Sequence, residues 1–96
     1  MARQRFIVCY DIANPKRLRL VEKTVKAFGV RIQFSVFECL LDPTRLQQLQ
    51  RNLGEVINSD HDQVMFLSLG PEAGNSNFRI TTLGLPYVVR SRVTII

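Results

Sequence analysis

The chain alternates between short apolar runs and amphipathic stretches, and the punctuation between them is chemically clear. Phe6-Ile7-Val8-Cys9-Tyr10-Asp11-Ile12 is β-branched and aromatic and closes on the turn residues Asn14 and Pro15, which predicts a strand. Asn14 suits a helix N-cap and Pro15 the first helical position, so a helix is expected there. Leu18, Val21, Val25 and Phe28 follow at spacings that place them on one helical face. Lys16, Arg19, Lys23 and Lys26 repeat those spacings two residues earlier, about 160° around the axis. One stripe is core, the other cationic, and Gly29 is read as the stop signal.

Val30 to Leu41 has no helical period. As a single strand it would stretch ~40 Å, about twice the usual length. It therefore reads as two strands meeting near Gln33-Phe34-Ser35, although no Gly or Pro marks the turn. Asp42-Pro43 repeats the cap-plus-proline device and opens a second helix with Leu46, Leu49, Leu53 and Ile57 inward. Asn58 to Asp62 is a polar break, Val64 to Leu69 an apolar strand, and Pro71 to Asn77 a loop. Phe78 to Leu83 reads as a candidate fifth short strand, and Gly84 and Pro86 separate it from a β-branched tail, Tyr87 to Ile96.

This order predicts an α+β fold, a ferredoxin-like βαββαβ sandwich with an antiparallel sheet and both helices on one face, plus a C-terminal fifth strand. A sheet covered on one side should alternate apolar and polar residues. Phe6 to Tyr10 and Val64 to Leu67 do not. The helix-free face therefore needs a cover, and a second copy packed sheet to sheet is the economical one. Residues 1–84 are expected to form the domain and residues 85–96 a strand or tail that pairs with the partner subunit.

Ninety-six residues with 46% hydrophobic and 22% charged content fit one globular domain. No apolar run approaches the ~20 residues of a spanning helix. The apolar stretch behind Arg3 and Arg5 is cut off by Asp11, too early for a secretory signal, so a cytoplasmic location is expected. Cys9 and Cys39 lack metal or redox spacing and read as buried thiols. The net charge is +5, and eight of the 13 basic residues, against two of the eight acidic ones, lie between Met1 and Arg31. Such a concentrated positive field favours an anionic partner.

Asp11 ends an apolar strand just before a helix N-terminus, where it either caps the turn or does chemistry. It falls on the side of Ile7 and Cys9, so a dimer through that side brings two copies together. Two facing carboxylates repel unless a cation intervenes, and Mg²⁺ suits a pair of carboxylates that leaves room for waters and phosphate oxygens. The cationic stripe reads as a phosphate-contacting surface without sequence readout. Arg31 either joins that surface or pairs with an acid such as Glu38. His61, in Asp60-His61-Asp62, reads as a solvated loop residue. Ser35 has no histidine partner, and Gly70 to Gly74 lacks the Lys-Ser/Thr of a phosphate-binding loop.

Tyr10-Asp11-Ile12, Pro15-Lys16-Arg17, Gly29-Val30-Arg31-Ile32-Gln33-Phe34-Ser35-Val36-Phe37-Glu38-Cys39 and Asp62 to Gly70, in this order, resemble the small CRISPR-associated endonuclease family, the second of the two universal spacer-acquisition proteins. The resemblance runs from Arg5 to about Gly84. It implies a ferredoxin-like homodimer with a metal-dependent nuclease centre at paired strand-end aspartates, the position Asp11 matches. It further implies that Arg17, Arg19 and Arg31 serve substrate binding or activity, with Tyr10 and Phe37 in support. Members of that family bridge two dimers of the CRISPR integrase; some cut single-stranded RNA and others double-stranded DNA. A non-catalytic architectural subunit that carries duplex DNA is the alternative expectation.

Overall fold

The computed structural model describes residues 2–71 and 79–86. Five strands, β1 (Gln4–Asp11), β2 (Val30–Gln33), β3 (Val36–Leu41), β4 (Gln63–Pro71) and β5 (Arg79–Gly84), form one sheet in the order β2-β3-β1-β4-β5. Every neighbouring pair is antiparallel. Helices α1 (Pro15–Lys26) and α2 (Pro43–Gly54) supply the two crossovers of the βαββαβ arrangement, and β5 extends the sheet beyond β4. The expected α+β sandwich is the observed one. The tail from Tyr87 to Ile96, expected to pair with a partner, lies outside the described residues, as do residues 72–78.

Both helices begin as their sequences dictate. The Asn14 side chain accepts from the backbone N–H groups of Lys16 (2.9 Å) and Arg17 (3.1 Å), and Asp42 accepts from Arg45 N–H at 2.8 Å. Each cap satisfies donors that the first helical turn leaves without carbonyl partners. The end of α1 differs from the expectation. Ala27, in ordinary right-handed geometry, caps it, and Gly29 has another reason to be glycine: a Cβ there would collide with the Glu38 carbonyl and Cys39 Sγ of β3.

The helices cover one face. Phe6, Val8 and Tyr10 of β1, Phe37, Cys39 and Leu41 of β3, and Val64 and Phe66 of β4 form a single core with Val21, Val25, Leu49 and Leu53. Ile7, Cys9, Val36, Leu40, Met65, Leu67 and Leu69 alternate with those strand residues, lie on the other face and are half-buried. Val30 is registered opposite Glu38, so it belongs to the same face, and it is 69% exposed. This face is thus largely apolar and, among the described residues, carries no helix, as the unbroken apolar strands required.

The β2–β3 turn explains its weak signal. Gln33 pairs with Val36, leaving Phe34 and Ser35 as a two-residue loop. Ser35 has φ 62°, a left-handed conformation that glycine or asparagine usually occupies. Its carbonyl accepts the Tyr10 N–H at 3.1 Å, which anchors the tip of the hairpin to the end of β1.

Candidate functional site

The end of β1 is where the sequence placed its chemistry. Asp11 pairs in register with Gln63 of β4, lies on the face of Ile7 and Cys9, and is exposed. Among the described residues its carboxylate has no ion-pair or hydrogen-bond partner. It therefore caps no helix, a role held by Asn14. Of the two readings of Asp11, the turn-capping one finds no contact to support it.

One strand away lies a carboxylate of opposite character. Asp62 is fully buried, and its two oxygens accept four hydrogen bonds. Oδ2 accepts from Arg17 Nε at 2.7 Å and Asn58 N–H at 2.8 Å. Oδ1 accepts from Ala13 N–H at 2.9 Å and Arg17 Nη2 at 3.2 Å. The Arg17 guanidinium is the largest cause holding the Asp62 carboxyl down at about 2, the two backbone donors help, and burial opposes them. The pair is two-pronged, the geometry that makes arginine the usual partner of a buried carboxylate. The Asp62 backbone carbonyl also accepts Leu85 N–H at 2.8 Å, and Gly84, with φ 85°, leaves the space for that approach.

The basic residues separate into two groups. Lys16, Arg19, Lys23 and Lys26 are exposed along the outer side of α1 and, among the described residues, form no ion pair. Arg17 and Arg31 are already engaged. Arg31 pairs with Glu22 of α1, not with Glu38, and lies over the Phe37 ring with 5.5 Å to its centroid. Glu38 instead receives Arg5 at 2.6 Å. Phe37 is fully buried and stacks on Tyr10 at 6.2 Å between centroids. Both rings support the end of β1 from the core side. The Tyr10 hydroxyl is buried without a hydrogen bond of good geometry. Burial, with the charge of Glu22, pushes its pKa up against the opposing effects of Arg31 and Ser35.

The remaining candidates stay quiet. Burial raises the Cys9 thiol and, together with the Glu38 charge, pushes Cys39 up to about 11, so neither is a ready thiolate. His61 is exposed in its loop. Among the described residues no three His, Cys, Asp or Glu side chains converge as metal ligands. Asp62 is the residue that sequence reasoning missed. It stood in a polar break beside the histidine, and its partner Arg17 is 45 residues away.

Residues 4–75 match the family model described as CRISPR associated protein Cas2. The chain is 39% identical over 79 residues to the CRISPR-associated endoribonuclease Cas2 of Geobacter sulfurreducens, covering 82% of each chain. A relative from Rhodospirillum rubrum, CRISPR-associated endoribonuclease Cas2 1, is 38% identical over 95 residues, covering 99% of this chain and 92% of the other. The crystal structure of Streptococcus pyogenes Cas2 at pH 6.5 superimposes with a TM-score of 0.61 at 34% identity, covering 65% of this chain and 81% of that one.

Proposed function

This chain belongs to the Cas2 family, and on that premise we propose that it is a metal-dependent endonuclease, cutting phosphodiester bonds of RNA or DNA within CRISPR spacer acquisition. The observation that carries the reading is Asp11, an exposed carboxylate without a partner among the described residues, at a strand end on an apolar face, beside a helix whose outer side exposes Lys16, Arg19, Lys23 and Lys26.

The working unit is a homodimer packed through the helix-free face. Ile7, Cys9, Met65 and Leu67 would be buried there by a second copy. Asp11 lies on that same face, so the two-fold brings both carboxylates toward one point. Two carboxylates with open solvent in front of them suit Mg²⁺, which keeps several waters and accepts phosphate oxygens. When bound, the ion supplies Lewis acidity toward the scissile phosphoryl group and lowers the pKa of water. Lys16, Arg19, Lys23 and Lys26 fix the nucleic-acid backbone without reading bases. Arg17 and Arg31 act through their acidic partners and through the rings that support β1.

The exposed cations of α1 also favour a second reading, an architectural subunit that carries duplex DNA between integrase dimers while Asp11 stays idle. Asp11→Ala separates the two. With labelled single-stranded RNA and duplex DNA as probes, the nuclease reading expects cleavage to fall on the order of 10³-fold, the worth of a few kcal/mol of metal-assisted stabilisation. Duplex binding should be unchanged. Cleavage that survives the substitution leaves only the architectural role.

A further inference from the structure

Resting on the assignment of Asp11, we infer that Asp62 and Arg17 are a pair of positioning residues that set the geometry of Asp11. The chain leaving Asp11 is fixed two residues later, where Ala13 N–H meets Asp62 Oδ1 at 2.9 Å. The strand beside Asp11 is fixed as well, since Asp62 immediately precedes Gln63, the residue registered opposite Asp11. Arg17, in the first turn of α1, grips both oxygens of the same carboxylate. The loop that follows α2 joins through Asn58 N–H, and the end of β5 through Leu85 N–H. Five segments thus converge on one buried residue that is next to the exposed acid and separate from it.

The pairing changes what Arg17 does. A guanidinium held on two oxygens of a buried carboxylate is neutralised and oriented inward, whereas a phosphate contact needs an uncommitted fork facing solvent. Asp62 makes Arg17 a brace, and the cations that meet the backbone of the substrate are those of the α1 outer stripe. Displacing a reacting group by about 1 Å can cost on the order of 10²-fold in rate, so loosening the brace should lower turnover and leave substrate affinity alone.

The test compares Asp62→Asn, Arg17→Lys, Arg17→Gln and the double variant Arg17→Gln/Asp62→Asn, with Asp11→Ala alongside. Cleavage is followed with whichever of the two probes, single-stranded RNA or duplex DNA, the wild type cuts; binding of the same probe is measured in EDTA. The single variants should cleave about 10- to 100-fold more slowly, as substitutions behind a catalytic group do. Their binding should stay within about twofold, and the double variant should be no slower than the worse single one. Amide exchange at Ala13 and Asn58 should quicken. Arg17→Lys keeps the buried charge balanced, so it remains informative if Asp62→Asn does not fold.

A phosphate-contact role for Arg17 predicts a different pattern. Arg17→Gln would then weaken binding and flatten its salt dependence, Asp62→Asn would leave cleavage intact, and the two effects would add. That pattern overturns the inference, as does wild-type turnover in both Asp62→Asn and Arg17→Lys. If Asp11→Ala itself cleaves normally, the site assignment has failed and the brace has nothing to position. If Asp11→Ala is inactive while the brace variants turn over normally, the brace alone has failed.

Discussion

Asp11 and Asp62 occupy neighbouring strand ends, yet the fold treats them in opposite ways. Asp62 is buried and holds four donors; Asp11 is exposed and, among the described residues, holds none. The cations repeat the contrast. Arg17 and Arg31 are committed to Asp62 and Glu22, while Lys16, Arg19, Lys23 and Lys26 form no ion pair among the described residues. Charges whose bonds are satisfied inside the protein hold its shape, and charges left without partners remain available to a ligand. Residue type alone does not separate the two kinds, because both kinds lie in the same polar stretches of sequence.

The sharpest way to break this comparison is to exchange the outcomes of removing each acid. Asp62→Ala leaves a half-buried guanidinium and two backbone donors without their acceptor, and should lower the unfolding free energy by about 3 kcal/mol. Asp11→Ala removes an exposed group with no partner among the described residues and should change it by less than about 0.5 kcal/mol. Urea midpoints measured on both variants decide it; equal losses would mean that Asp11 is structural after all.

Acid titration sharpens the same contrast. The Asp62 carboxyl is held at about 2 in the folded chain, below its ordinary 3.8. A depressed folded pKa stabilises the native state above the unfolded value and loses that contribution as pH falls through the folded one. About 2 kcal/mol of stability should therefore disappear between roughly pH 4 and pH 2. Chemical denaturation across that window should show the loss in wild type and not in Asp62→Asn. A smaller effect tests the cations. Lys16→Gln or Lys23→Gln should each reduce the slope of log affinity for duplex DNA against log salt by about 0.9. Unchanged slopes would remove the α1 stripe from the binding surface.

Much of this was legible in the chain. The apolar spacing of Leu18, Val21, Val25 and Phe28, the caps Asn14 and Asp42, and the failure of Phe6 to Tyr10 to alternate are local patterns, and local patterns fixed the elements and the face that lacks a helix. Asp11 could be placed because the period of two along a strand assigns its side. The brace could not be read, because Asp62 meets Arg17 and Ala13 only after β4 has returned beside β1, 45 and 49 residues away. Arg31 chose Glu22 over Glu38 for a similar reason: Arg31 faces the helices with Phe37, whereas Glu38 looks out on the other face beside Val30. Gly29 looked like a helix stop and is a close approach to β3, a contact that no spacing along the chain announces.

If cleavage needs Asp11 from two protomers at once, mixed dimers reveal it. Wild-type and Asp11→Ala chains, refolded together in equal amounts, should distribute so that about a quarter of the dimers carry both carboxylates. Activity per dimer should fall to about one quarter of that of pure wild type, following the square of the wild-type fraction. Activity of about one half, linear in that fraction, would mean that each Asp11 works alone and would contradict the requirement for two.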